Sequence, residues 1–149
     1  MSDVENDRIL KNIEKNGCHI THVDAEESSP SFTYSIGIEK STGRPDVIIT
    51  GMDKDSAHFL INEYNSRIQD GEVFDVDGFY DEFLEDVNVT FKIVDPKYYP
   101  QYFPLGQSYY KGDDFSALHF IWPDISGAWP WQKKASKDYR RLMPPLYKR

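Results

Sequence analysis

Cysteine is almost absent from this chain: Cys18 is the only one in 149 residues. That excludes an internal disulfide framework and any zinc site built on paired cysteines. No apolar run approaches the ~20 residues that a membrane-crossing helix needs. The N-terminus, MSDVENDRILKNIEKNG, is acidic and polar, without the basic start and apolar core of a secretory signal. Repeats and low-complexity stretches are missing too. These absences point to a reduced, cytoplasmic, single-domain protein with no membrane span. With 39% hydrophobic and 28% charged residues, the composition is that of a globular chain long enough to bury a core.

Positive charge is scarce outside the C-terminal end. Residues 1–131 carry 10 basic and 24 acidic side chains, a net of −14, whereas residues 132–149 carry seven basic and one acidic. The chain reads as a domain over 1–131 and a basic C-terminal tail over 132–149. An acidic body repels phosphate backbones, so nucleic-acid binding through it is disfavoured. The tail alone offers positive charge for a phosphate surface; otherwise it pairs with the body or stands in solvent.

Residues 3–16 read as a short amphipathic helix, opened by a Ser2–Glu5 capping box and stopped by Gly17. Cys18–Val23 is rich in β-formers. Phe32–Ile38 alternates, with Thr33, Ser35 and Gly37 leaving room on one face for a packed neighbour or a ligand. Val47–Thr50 reads as a buried strand. Ala57, Leu60, Ile61, Tyr64 and Ile68 form the stripe of a helix over 54–69, capped by Asp53 or Asp55. Val87–Val94 and Ser116–Trp122 read as further strands, and PKYYPQYF as a short helix or turn. Strands cluster without βαβ alternation. The expected class is α+β: a mainly antiparallel sheet, free to curl toward a barrel, with two main helices.

Chemical signatures are thin. His19 and His22 are three apart, so on a strand they point to opposite faces and cannot share one ion. His22 and His119 with Asp114 or Asp124 form a site only if their strands are neighbours. Ser35 or Cys18 lacks a nucleophile-elbow motif to pair with His22 or His119 as base and Asp114 as orienter. No glycine-rich loop opens a helix to cradle phosphate. Neither a catalytic residue nor a metal site nor a cofactor is expected.

Eleven of the 22 aromatic residues lie between Tyr98 and Trp131. Short motifs are spread along the chain: Gly17 and His22-Val23, then Pro30-Ser31-Phe32-Thr33-Tyr34-Ser35-Ile36-Gly37-Ile38, Arg44-Pro45-Asp46-Val47 and Thr50-Gly51-Met52 with the helix containing Ala57. Gly112-Asp113-Asp114-Phe115-Ser116-Ala117-Leu118-His119, Trp122-Pro123-Asp124, Gly127 and Trp129-Pro130-Trp131 follow in order. Together they resemble the domain-of-unknown-function 4262 family of bacterial proteins. The resemblance covers about residues 13–131. It implies a shared bacterial fold and no established activity. The family more often has His-Pro-Glu at 44–46, Gln at 119 and Phe at 129.

Residues 70–86 hold eight acids and no base. Acidic surface steers a basic partner, and aromatic rings anchor it. The expected function is therefore a non-enzymatic binding protein, an inhibitor or immunity protein for a basic partner such as a toxin. Glu72, Asp75, Asp77, Asp81, Glu82, Glu85 and Asp86 would steer; Tyr109, Tyr110, Trp129 and Trp131 would anchor. The alternative is a small-molecule-binding or hydrolytic pocket using His22, Tyr34, Ser35, Asp114, His119, Trp122 and Asp124. It requires His22 and His119 to face one another.

Overall fold

A computed structural model describes residues 3–147. Helix α1 (Asp3–Asn16) leads into strands β1 (His19–Val23) and β2 (Phe32–Ile36), then a short helix α2 (Ile38–Thr42) and strand β3 (Asp46–Thr50). Helix α3 (Lys54–Gln69) follows, then the hairpin of β4 (Phe79–Leu84) and β5 (Val87–Ile93). After a 3-10 turn at Pro96–Tyr98 come α4 (Tyr99–Tyr102), α5 (Pro104–Tyr110), β6 (Ala117–Ile121) and α6 (Lys137–Leu142). The six strands form one sheet in the order β1-β2-β3-β6-β5-β4. Only the β3–β6 pair is parallel.

The class is thus α+β, with α1 and α3 the two main helices as expected. The sheet stays open: β1 and β4 end the order and do not pair, so it does not curl into a barrel. The Ser2–Glu5 capping box lies outside the described side chains.

Period-2 alternation sorts the strands onto two faces. One face sends Val47, Ile49, Leu118, Phe120, Val89 and Phe91 against Ala57, Leu60, Ile61, Tyr64 and Ile68 of α3. Thr33 and Ser35 are fully buried on this face, so the room above them is filled by protein. The other face packs Phe32, Tyr34, Ile36 and Ile48 against Ile9 and Ile13 of α1 and against Tyr99, Tyr102, Phe103 and Phe115. At its far end, Ile121 meets Ala128, Ala135, Tyr139 and Met143.

α3 has the bounds that its apolar stripe predicts, because Asp53 accepts from the Ser56 backbone N–H at 2.9 Å and caps it. The strand expected to reach Ile38 stops at Ile36. Gly37 takes φ +101°, and Ile38 opens α2 instead. A Cβ at Gly37 would lie within 3.0 Å of the Ile13 side chain, so glycine is needed for both the turn and the close approach.

Described residues of the basic segment, 132–147, are folded across the sheet. Thr50 Oγ1 donates to the Leu142 carbonyl at 2.7 Å, the Asp95 N–H to the Leu146 carbonyl at 2.7 Å, and the Tyr139 hydroxyl to the Trp122 carbonyl. This packing is apolar rather than ionic. Among the described residues, the segment's cations make no ion pair with the body; Arg141 pairs with Asp138 of its own helix.

Candidate functional site

The acidic run becomes one rim of the molecule. Glu72, Asp75 and Asp77 lie in the connection after α3, Asp81 and Glu82 on β4, and Glu85 and Asp86 at the β4–β5 turn; all are exposed. Asp77 and Asp86 adopt φ of +66° and +62°, a left-handed turn conformation that Asp tolerates better than most residues. Part of the charge is already answered. Arg67 reaches Glu63 at 2.8 Å, Glu72 at 3.4 Å and Glu82 at 3.8 Å, and Lys92 pairs with Asp77. Among the described residues, Asp75, Asp81, Glu85 and Asp86 have no ion pair.

Beside this rim, the start of α3 and the end of β4 border a shallow, open cleft of about 580 Å³. Met52, Phe59, Leu60, Phe83 and Leu84 give it an apolar lining, and Asp53, Asp55 and Glu85 stand at its border. Phe59 is 67% exposed. It lies off the Ala57/Leu60/Ile61 stripe, on the polar side of the helix. An apolar ring on a polar face was the one sequence signal that could have found this cleft. β4 ends the strand order, so its outer backbone edge lies beside the same rim.

The four predicted anchors do not form one surface. Trp129 and Trp131 stack at 5.6 Å, and Trp129 touches Phe79 of β4 at 5.6 Å, so this pair borders the acidic rim. Tyr109 and Tyr110 sit on α5, against a different part of the fold. Tyr110 turns inward, its ring stacked on Phe115 at 4.6 Å. Its hydroxyl donates to Asp46 Oδ2 at 2.7 Å and accepts from the Gly37 N–H at 3.1 Å and the Lys40 N–H at 3.3 Å. The Tyr110 hydroxyl is thus engaged within the fold, while its side chain is half-buried.

Asp46 was missed by sequence reasoning. It is fully buried and also accepts from Ser35 Oγ at 2.7 Å and the Ile38 N–H at 2.9 Å. Its carboxylate thereby caps α2, joins β2 to β3 and holds α5. Burial pushes its pKa up to about 6, against the opposing effect of the donors around it, Tyr110 first among them.

The alternative pocket is not assembled. His22 pairs across the sheet with Thr33, Thr33 with Ile49, and Ile49 with Phe120, so His22 shares the Phe120 face. His119, next to Phe120, points to the opposite face, as does Tyr34. Asp114 is exposed in a loop, and Trp122 packs partly against the α3 side. Asp124 accepts from Ser126 and the Ala128 N–H in its own turn. The β-strand period separates these residues onto opposite faces of the sheet.

Single groups tell the same story. His22 Nδ1 lies 2.7 Å from Thr33 Oγ1, and its Nε2 lies 3.4 Å from Asp24, a relay-like row. Thr33 is sealed beneath the sheet face, so no substrate reaches its hydroxyl. The Ser35 hydroxyl proton is held by Asp46. Burial pushes the Cys18 thiol up to about 12, away from the reactive thiolate.

His119 is fully buried, and desolvation pulls its pKa down to about 3. Thr50 spends its one proton on the Leu142 carbonyl, so His119 Nε2 must be the donor in their 3.0 Å contact. Nδ1 is then a bare acceptor with no hydrogen-bond partner among the described residues.

Among the described residues, no group of three or more His, Cys, Asp or Glu side chains converges as a metal site, and no helix is long and apolar enough to cross a membrane. The profile of a family described as "Domain of unknown function (DUF4262)" matches residues 12–136, and the chain belongs to that family. No curated protein and no solved structure matches it.

Proposed function

For this DUF4262 protein we propose a non-catalytic docking role: it binds a basic protein partner along the β4 rim and the adjoining cleft. One observation carries the reading. An apolar cleft with the exposed Phe59 ring lies directly against Asp53, Asp55 and Glu85, which make no ion pair among the described residues. Burying Phe59, Met52 and Leu84 against a partner supplies the hydrophobic contribution. Glu85, Asp53 and Asp55 select a partner whose apolar residue is flanked by Lys or Arg, and Asp81 and Asp86 extend the attractive field along the edge strand. Trp129 and Trp131 stand on the other face of the sheet, beside Phe79 and Lys92, and lie outside this cleft.

The biological setting we attach to this surface is inhibition. A basic active site that takes an anionic substrate, as in a toxin, is blocked by a surface of carboxylates with a ring at its centre.

The test uses a fluorescein-labelled peptide of alternating lysine and phenylalanine. Its association with the wild type should slow steeply with added salt, and the Asp81→Lys, Glu85→Lys, Asp86→Lys triple variant should bind roughly tenfold or more weakly at low salt. Equal rates for the two proteins at low salt would overturn the electrostatic reading. An inhibitory role further requires that a captured partner lose its activity when bound; a partner fully active in the complex refutes it.

A further inference from the structure

A second cavity, independent of the acidic cleft, opens between β5 and the C-terminal segment. It measures about 690 Å³ and is lined by Lys92, Trp131, Arg140 and Tyr147, with Pro130, Met143 and Pro145 completing the apolar wall. This volume falls within the range of small-molecule sites. Its chemistry differs from the rest of the surface. In a chain where acids outnumber bases 25 to 17, the lining holds two cations and no acid.

Both cations keep donors in reserve. The Lys92 ammonium has three protons, and Asp77 accepts one. The Arg140 guanidinium has five, and the Gln132 carbonyl accepts one through Nη2. Counting Asp77 against Lys92 and Arg140, the site retains one positive charge.

The walls are preformed. Lys92 Nζ sits 4.7 Å from the Trp131 ring centroid and 5.6 Å from that of Tyr147. Trp131 lies parallel to Trp129, with 3° between the rings, and meets Tyr147 edge-on at 6.2 Å. Rings held in this way lose little freedom when a ligand arrives. Trp131 remains 45% exposed.

We propose that this cavity binds a small organic anion carrying a flat ring, with its carboxylate or phosphate on Lys92 and Arg140 and its ring against Trp131, Tyr147 and the prolines. Arg140, Met143, Pro145 and Tyr147 lie beyond the stretch matched by the family, residues 12–136. Most of the lining therefore comes from the C-terminal segment, past the matched stretch. The site does not depend on the docking role.

Titration of the full chain by calorimetry and tryptophan fluorescence tests this with four probes: AMP, benzoate, inorganic phosphate and adenosine. AMP or benzoate should bind saturably with Kd below about 1 mM, which also identifies phosphate or carboxylate as the anionic group. Phosphate and adenosine, each lacking half of the recognition, should bind at least roughly tenfold more weakly. Arg140→Met changes an exposed side chain and should weaken the ring-bearing anion by roughly tenfold while leaving thermal unfolding unchanged; Lys92→Met should do the same. Lys133→Met, outside the lining, should change nothing. Three results would overturn the proposal: no saturable binding of AMP or benzoate, binding unaltered in Arg140→Met, or inorganic phosphate binding as tightly as the ring-bearing anions.

Discussion

The Tyr110 hydroxyl lies 2.7 Å from the Asp46 carboxylate although 64 residues separate them in the chain. That contact closes α5 onto the start of β3, and the same oxygen accepts from two backbone N–H groups around α2. Tyr110→Phe should therefore lower stability by about 1–3 kcal/mol, the usual cost of a lost hydrogen bond to a charged group. Urea unfolding at neutral pH reads the loss. Amide exchange should also quicken at Gly37 and Lys40.

Asp46 gives a pH signature of defined sign. Its folded pKa is raised from 3.8 to about 6, so the fold binds the proton more tightly than the unfolded chain does. Its contribution is most favourable below about pH 4 and falls as the pH rises to about 6. The loss is about 3 kcal/mol at roughly 1.4 per pH unit. In Asp46→Asn this dependence is absent. The stability of the wild type relative to the variant should decline by about that amount between pH 4 and 7, and an unchanged difference would count against a buried carboxylate.

His119 behaves in the opposite way. Its folded pKa is lowered from 6.5 to about 3, so its contribution is complete above about pH 6.5 and is lost as the pH falls toward 3. His119→Gln keeps a donor for Thr50 and cannot charge. The variant should keep near-native stability at pH 7 and unfold at clearly lower pH than the wild type. Acid titration followed by circular dichroism distinguishes the two.

Gly51 takes φ +73°, and a Cβ there would meet the Leu142 side chain at 2.5 Å and its carbonyl oxygen at 2.8 Å. Gly51→Ala should cost at least about 1–3 kcal/mol from backbone strain alone. Limited proteolysis should then cut first within residues 137–147, because the contact that displaces the segment is at its own docking point.

Phe59 is the residue that separates docking from folding. Being largely exposed, Phe59→Ala should shift stability by no more than about 0.5 kcal/mol. Affinity for the lysine–phenylalanine peptide should still fall roughly tenfold. Unaltered affinity would move the docking surface away from the cleft.

The parts of this fold that could be read from the sequence are those where local pattern and tertiary role agree. Asp53 and the Ala57-to-Ile68 stripe place α3, because one cap and one face settle a helix. The face of Thr33 and Ser35 read as room for a packed neighbour or a ligand, and protein fills it; Gly37 falls past the strand's end, against Ile13. β4 was hidden, since its residues Phe79–Leu84 belong to an edge strand whose exposed acids mask alternation. Ile38 was misplaced because only the positive φ of Gly37 ends the strand. At the site, the acids declare themselves by charge, as Glu85 and Asp86 show. The cleft does not, because Met52, Phe59 and Leu84 come together only when α3 packs beside β4. Tyr110 could not be told from a surface ring until Asp46 was known to lie beneath it.

The last sixteen described residues close the sheet as a strap does, fastened at Thr50, Asp95 and Trp122. A polypeptide cut back to the stretch the family shares would leave Ile121 and the His119 imidazole facing water over the central strands. Such a fragment should be greasy on that side, prone to stick to itself, and unable to form the cation-lined cavity. Most of the cation-lined cavity therefore resides in a piece of chain that a cut at the end of the family match would discard.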